Sequence, residues 1–181
     1  MEKIKVYIEI EKFSNIKYEF NKELNKLCVD RILPYPYFYP YAYGFIPNTK
    51  ALDGDELDIC VITDIAYKND VLLEAYILGG LSMEDEKGMD EKLLVVPVHE
   101  YDVLNELDKN NIINNDKLSN IHWFFSNYKS KTKDKWSKVY HFMEKEEAIK
   151  LYEVSKVGKP RLAIPPHPCR ETQVSPTTPS R

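Results

Sequence analysis

Ile4-Lys5-Val6-Tyr7-Ile8-Glu9-Ile10-Glu11 alternates without a break, with aliphatic residues at the even positions. Period-two patterning of this kind fits a half-buried strand. Residues 16–20 repeat it, placing Lys17 and Glu19 on one polar face opposite Ile16, Tyr18 and Phe20. A third strand, Lys26 to Arg31, follows a polar turn around Asn21 to Asn25. Short strands in such close succession favour antiparallel neighbours, and so a meander or small barrel over a parallel sheet. Further on, Leu57 to Thr63 and Val71 to Leu78 read as buried strands, Gly79-Gly80 as a break, and Leu93 to Pro97 as another strand. Beyond Pro97 the period becomes helical. One helix is expected over Tyr101 to Lys109 on Val103, Leu104 and Leu107. A second, capped by Ser119, carries Ile121, Phe124, Phe125 and Tyr128 and ends near Lys129. A basic run from Lys131 to Lys138 follows, and a third helix spans Glu144 to Val154. The fold class expected is mainly β with flanking helices.

Composition limits what such a fold does. The chain has 181 residues and a formal charge of -4, and nucleic-acid binders more often carry a basic surplus. No apolar run approaches the roughly 20 residues of a membrane span, and the start of the chain lacks a signal-peptide core. Cys28, Cys60 and Cys169 are unpaired by spacing. The first two read as small core residues, and a reduced, cytoplasmic setting is expected. After Val157 the composition shifts to Pro, Thr, Ser and Arg, so residues 1–157 are expected to form a single domain and 158–181 a disordered or appended tail.

The charged motifs bear on chemistry. Asp53-Gly54-Asp55-Glu56-Leu57-Asp58 packs four carboxylates into six residues directly before an apolar strand. Carboxylates this close repel one another and lose hydration if drawn inward. A hairpin turn accounts for the Asp and Gly alone; a hard divalent cation would also remove the charge penalty. The pattern recurs, since Glu84-Asp85-Glu86 and Asp90-Glu91-Lys92 lead into the strand from Leu93. Two such loops at neighbouring strand ends would build one acidic pocket. The segment from Leu33 to Pro47 interleaves prolines with tyrosines and forbids a helix. It reads as an aromatic plug that leaves two or three tyrosyl hydroxyls for a polar cavity. His99, His122, His141 and His167 show no metal-ligand spacing.

Taken together, the motifs Tyr7-Ile8-Glu9-Ile10, Ile16-Lys17-Tyr18-Glu19, Val29-Asp30-Arg31, Phe38-Tyr39-Pro40, Tyr43-Gly44-Phe45-Ile46-Pro47, Asp53 to Asp58, Asp85 with Asp90 and Lys92, and Tyr128-Lys129 resemble the family I soluble inorganic pyrophosphatases, of the compact bacterial-like type. The resemblance implies a five-stranded closed β-barrel of the OB type and hydrolysis of pyrophosphate by attack of a metal-bound water. It implies Asp53, Asp58, Asp85, Asp90, Glu19 and Glu9 as metal-site carboxylates and Asp55 as general base. Lys17, Arg31, Tyr39, Tyr43, Lys92, Tyr128 and Lys129 are implied as the substrate-binding set. Several Mg²⁺ ions per site are implied, with Mn²⁺ or other divalent ions as substitutes, and a homo-oligomer, a hexamer ahead of a dimer. Glu56 departs from the proline of many members.

Two other readings compete. Another metal phosphohydrolase, acting on nucleotides or nucleic acid, would need a base pocket, for which the Tyr-Pro segment is the candidate. A barrel that kept the fold and lost catalysis should have lost several members of the constellation, all of which are present here.

Overall fold

The computed structural model describes residues 1–157; the tail expected at 158–181 lies outside the described residues. Its elements are β1 (Ile4–Ile10), β2 (Ile16–Asn21), β3 (Lys26–Ile32), β4 (Ala42–Ile46), β5 (Leu57–Val61), β6 (Val71–Asp85), β7 (Gly88–Met89), β8 (Lys92–Pro97), α1 (Val98–Tyr101), α2 (Glu106–Asn110), α3 (Asn115–Asn127), β9 (Ser137–Met143) and α4 (Lys145–Ser155). The protein is mainly β.

Strand pairing runs β1–β4, β4–β5, β5–β8, β8–β6 and back through β6–β1, so five strands form a ring. All these pairs are antiparallel except β5–β8. Of the meander or small barrel expected, the consecutive pairing holds for β2 with β3 but not for β1 with β2, which do not ladder. Instead β2 and β3 form a separate two-stranded sheet.

The long apolar runs are explained by burial on both faces. Ile4, Val6, Ile8, Ile59, Val61, Leu93 and Val95 share one core cluster, closed by Ala148 and Leu151 of α4. Cys60, Ile62, Leu81, Met83, Leu94 and Val96 face the other way, into a second cluster with Phe124 and Phe125 of α3 and the Tyr-Pro segment. The plug reading of that segment holds. Tyr37, Tyr39, Tyr41 and Tyr43 are buried, with Tyr39 against Phe124 at 4.7 Å between ring centroids, while Tyr35 is exposed.

Several expectations need correction. Gly79-Gly80 does not break the chain; β6 continues through both. A Cβ on Gly79 would stand 2.8 Å from the Met143 carbonyl oxygen, so close passage of β9, not a turn, is why glycine is required. The helix expected over Tyr101 to Lys109 is two short helices, and Val103 and Leu107 are 81% and 71% exposed. Asn105 accepts from the Asp108 N–H and starts α2 afresh. Helix α3 begins four residues ahead of Ser119, because the Asn114 side chain caps the Lys117 N–H. The basic run ends in strand β9, which pairs with β6. Cys60 is buried as expected, whereas Cys28 is only half-buried, on the small sheet.

Candidate active site

The second core cluster has a charged margin, and the margin is a cavity of about 360 Å³. Side chains two residues apart on a strand share a face. Stepping back by two from buried Cys60 reaches Asp58, from Leu94 Lys92, and from Lys92 Asp90. Stepping forward by two from Met83 reaches Asp85, the last residue of β6. The parallel pairing of β5 with β8 sets Asp58 directly beside Lys92. Charge gathers where the apolar face runs out.

The contacts are short and mixed in sign. Lys92, 1% exposed, donates to Asp58 Oδ2 at 2.7 Å and to Asp90 Oδ1 at 2.5 Å. Burial works against its ammonium, but the two carboxylates outweigh it and hold its pKa well above the usual lysine value. Tyr43 Oη donates to Asp58 Oδ2 at 2.6 Å. From the end of α3, Lys129 reaches Asp85 Oδ2 at 2.5 Å and Glu86 Oε2 at 3.0 Å. Despite partial burial, a backbone hydrogen bond together with Lys129 and Lys135 takes the Glu86 carboxyl down to about 2.

The β2–β3 sheet supplies the facing wall. Lys17 bonds Glu19 and, at 3.1 Å, Asp30 Oδ2. Arg31 Nε is buried with no hydrogen-bond partner, 3.7 Å from Asp30 Oδ2. Between the walls, Glu9 Oε1 accepts from the Phe20 N–H at 2.7 Å. Burial raises the Glu9 carboxyl to about 7, helped by the Asp58 charge against the pull of that hydrogen bond and of Lys17. Asp55 lies on the acidic loop, where its N–H meets Asp53 Oδ1 at 3.1 Å. Burial first, and Asp53 second, push its carboxyl up from the usual value.

Every site residue expected from sequence lines this cavity: Asp53, Asp55, Asp58, Asp85, Asp90, Glu9 and Glu19, with Lys17, Arg31, Tyr39, Tyr43, Lys92, Tyr128 and Lys129. The cavity also takes in Lys22, Asp30, Glu56, Glu86, Lys87 and Lys135. Asp30 was within reach of sequence reasoning as the neighbour of Arg31. Lys135 was not, since it enters through the long-range pairing of β9 with β6. In all, ten carboxylates face seven cationic side chains, a formal excess of three negative charges when every carboxyl is ionised. Among the described residues no ready-made metal cluster of three or more such ligands stands together; ammonium groups are interposed between the carboxylates. The available donors are hard oxygens throughout, the set that suits Mg²⁺.

A mainly-β protein with an acid-rich cavity studded with lysines, and with its aromatic segment mostly packed into the core, is of the class that handles small oxyanions. Likeness to known proteins specifies which. The inorganic pyrophosphatase family model matches residues 6–157. An inorganic pyrophosphatase of Helicobacter pylori is 45% identical over 149 residues, 82% of this chain and 86% of the relative. One from Nanoarchaeum equitans is 42% identical over 146 residues, 80% of this chain and 90% of the relative. The solved structure of an inorganic pyrophosphatase from Coxiella burnetii superposes with a TM-score of 0.80 at 40% identity, covering 85% of this chain and 93% of that one. This chain belongs to the inorganic pyrophosphatase family.

Proposed function

We propose that the protein hydrolyses inorganic pyrophosphate to two phosphates in this cavity, with Mg²⁺ held by its carboxylates. The observation that carries the reading is the charge excess. A polyanion has no apolar handle and would be repelled by the surplus negative charge unless hard cations accompany it. Asp53, Asp58, Asp85 and Asp90, with Glu9 and Glu19, would hold them, and Mn²⁺ has the same oxygen preference. When bound, such ions neutralise phosphate charge and lower the pKa of a water.

The protein's own groups do the rest. Lys17, Arg31, Lys92 and Lys129 hold phosphate oxygens, and the buried, unpartnered Arg31 Nε suits a forked contact. The Tyr43 and Tyr128 hydroxyls donate to the departing phosphate, with Tyr39 packed behind them. Asp55 takes the proton as the water oxygen attacks phosphorus and the bridging P–O bond breaks; its raised pKa improves it as a base near neutrality. Positioning and electrostatics are what phosphoryl transfer asks of a protein.

The same reading takes residues 1–157 as one catalytic unit and the five-strand ring as a closed barrel of the OB type. It also includes assembly as a homo-oligomer and work in the cytoplasm. Among the described residues no helix is long and apolar enough to cross a membrane.

The test is phosphate release with Mg²⁺ from pyrophosphate and, separately, from nucleoside triphosphates. Pyrophosphate should be strongly preferred. Asp55→Asn should retain metal binding and lose roughly 10²- to 10⁴-fold in turnover. Near-normal turnover in that variant would remove Asp55 from the role of base.

A further inference from the structure

The chemistry above leaves Glu56 without a part, although it sits in the middle of the acidic loop. Its Oε1 lies 2.5 Å from Lys22 Nζ. Lys22 is the first residue of the turn that joins β2 to β3, and Glu56 directly precedes β5. The pair therefore crosses from the tip of the hairpin to the ring, along the cavity both residues line.

The two ends of that crossing differ in how firmly they are held. On the ring side Leu57 is fully buried and its N–H donates to Thr49 Oγ1 at 2.9 Å. On the other side of Glu56, the Asp55 carbonyl accepts from the Ala51 N–H at 2.7 Å. Glu56 thus projects from a fixed base. The hairpin is a separate two-stranded sheet. It is tied at its root by the Leu33 N–H to the Asn15 carbonyl at 2.7 Å, and midway by the Phe20 N–H to Glu9. At the tip, Lys22 to Glu56 is the ion pair that joins it to the ring.

We propose that Lys22–Glu56 is a latch that seats the hairpin tip against the acidic loop and so aims Lys17 and Arg31 into the cavity. The proposal rests on reading the cavity as the pyrophosphate site. Both members are positioning residues, acting through the hairpin that carries the phosphate contacts. Lys22 is 70% exposed, so the pair contributes little to global stability and its effect is on where the hairpin rests.

Local charge alone makes a different prediction. Removing the Lys22 cation would weaken binding of a polyanion, whereas removing the Glu56 anion would strengthen it. A latch makes both losses act in one direction. The experiment therefore compares Lys22→Met, Glu56→Gln and the exchanged pair Lys22→Glu with Glu56→Lys. Each single variant is expected to raise KM for pyrophosphate about two- to five-fold, the range of an exposed ion pair, with kcat within about two-fold. The exchanged pair should recover most of that loss. Without pyrophosphate, amides of Ile16–Asn21 and Lys26–Ile32 should exchange faster in both single variants than in the parent. A lowered KM in Glu56→Gln, an exchanged pair no better than the single variants, or unchanged hairpin exchange overturns the latch. So does an altered Mg²⁺ dependence in Glu56→Gln with none in Lys22→Met, which would assign Glu56 to the metal instead. Because exchange is read without substrate, a parent that released no phosphate would overturn the functional reading and leave the exchange result to judge the latch.

Discussion

The cavity has two walls, and they are built differently. The ring wall presents Asp58, Asp90 and Lys92 at the margin of a core in which Leu81, Met83 and Leu94 are at most 1% exposed. The hairpin wall presents Lys17, Glu19, Asp30 and Arg31 from a two-stranded sheet whose Val29 and Ile32 are 59% and 66% exposed. Charges on the first are held in place by packing and by each other. Charges on the second ride on a piece whose outer face is exposed and whose inner face, with Tyr18 and Phe20 against the ring, is only half-buried. Two strands alone are marginal in water, so the second wall depends on its ties to the first. What a substitution costs should therefore depend on which wall it touches, apart from whether the residue meets substrate.

The largest loss of stability is expected at Lys92. Removing one partner from a buried ionic group leaves uncompensated charge and costs about 3–5 kcal/mol. Lys92→Met leaves Asp90 without its cation and Asp58 with only the Tyr43 hydroxyl. It should lower the melting temperature by roughly 10 °C, at about 2–4 °C per kcal/mol for a chain of this size, along with turnover. Calorimetry in chelator-treated buffer reads this; an unchanged melting point would show that the ring wall tolerates unpaired carboxylates.

Glu9 belongs to neither wall alone, since its carboxylate on β1 holds the Phe20 N–H of β2. Its folded pKa, about 7, stands above the ordinary value of 4.5. The raised pKa means that the fold favours the protonated form. The stability this contributes is full below pH 4.5 and is lost as pH rises through about 7. Glu9→Gln keeps an acceptor for Phe20 and cannot ionise. In chelator, its unfolding free energy should fall less than the parent's between pH 4.5 and 7, by on the order of 2 kcal/mol. Parallel pH profiles would show that Glu9 is as well hydrated in the fold as in the unfolded chain.

The contrast between walls also explains what the sequence could and could not show. Alternation in β1 and the acidic loop ahead of β5 are local patterns, set by period two and by charge repulsion within six residues, and both were legible. That the two acidic loops would share a pocket was suggested by their repeated pattern, but that Glu9 would join Asp58, Asp85 and Asp90 there was legible only through family resemblance, since it depends on long-range pairings such as that of β5 parallel to β8. Strand β9 was hidden because its partner lies more than fifty residues away in β6. The break expected at Gly79-Gly80 failed for the same reason: glycine there answers to a neighbouring strand, which no local pattern records. The division of one expected helix into α1 and α2 turned on a single side-chain cap at Asn105, whose contribution is comparable to the propensity differences that it overrides.

The smallest stability effect, and the one that best separates the walls, is expected at Lys17. Its carboxylate partners Glu19 and Asp30 have side chains 59% and 35% exposed. Water replaces the lysine when it is removed, so Lys17→Met should cost less than about 1 kcal/mol of unfolding free energy. Its effect on catalysis should be out of proportion to that. If Lys17 holds a phosphate oxygen equally in the bound and transition states, KM rises with kcat little changed; if it tightens only as charge develops, kcat falls instead. Either kinetic result at an unchanged melting temperature places Lys17 on a wall built for contact and not for support. A melting temperature lowered as far as in Lys92→Met would mean that the hairpin is as deeply integrated as the ring, and that the two walls are in energetic terms one.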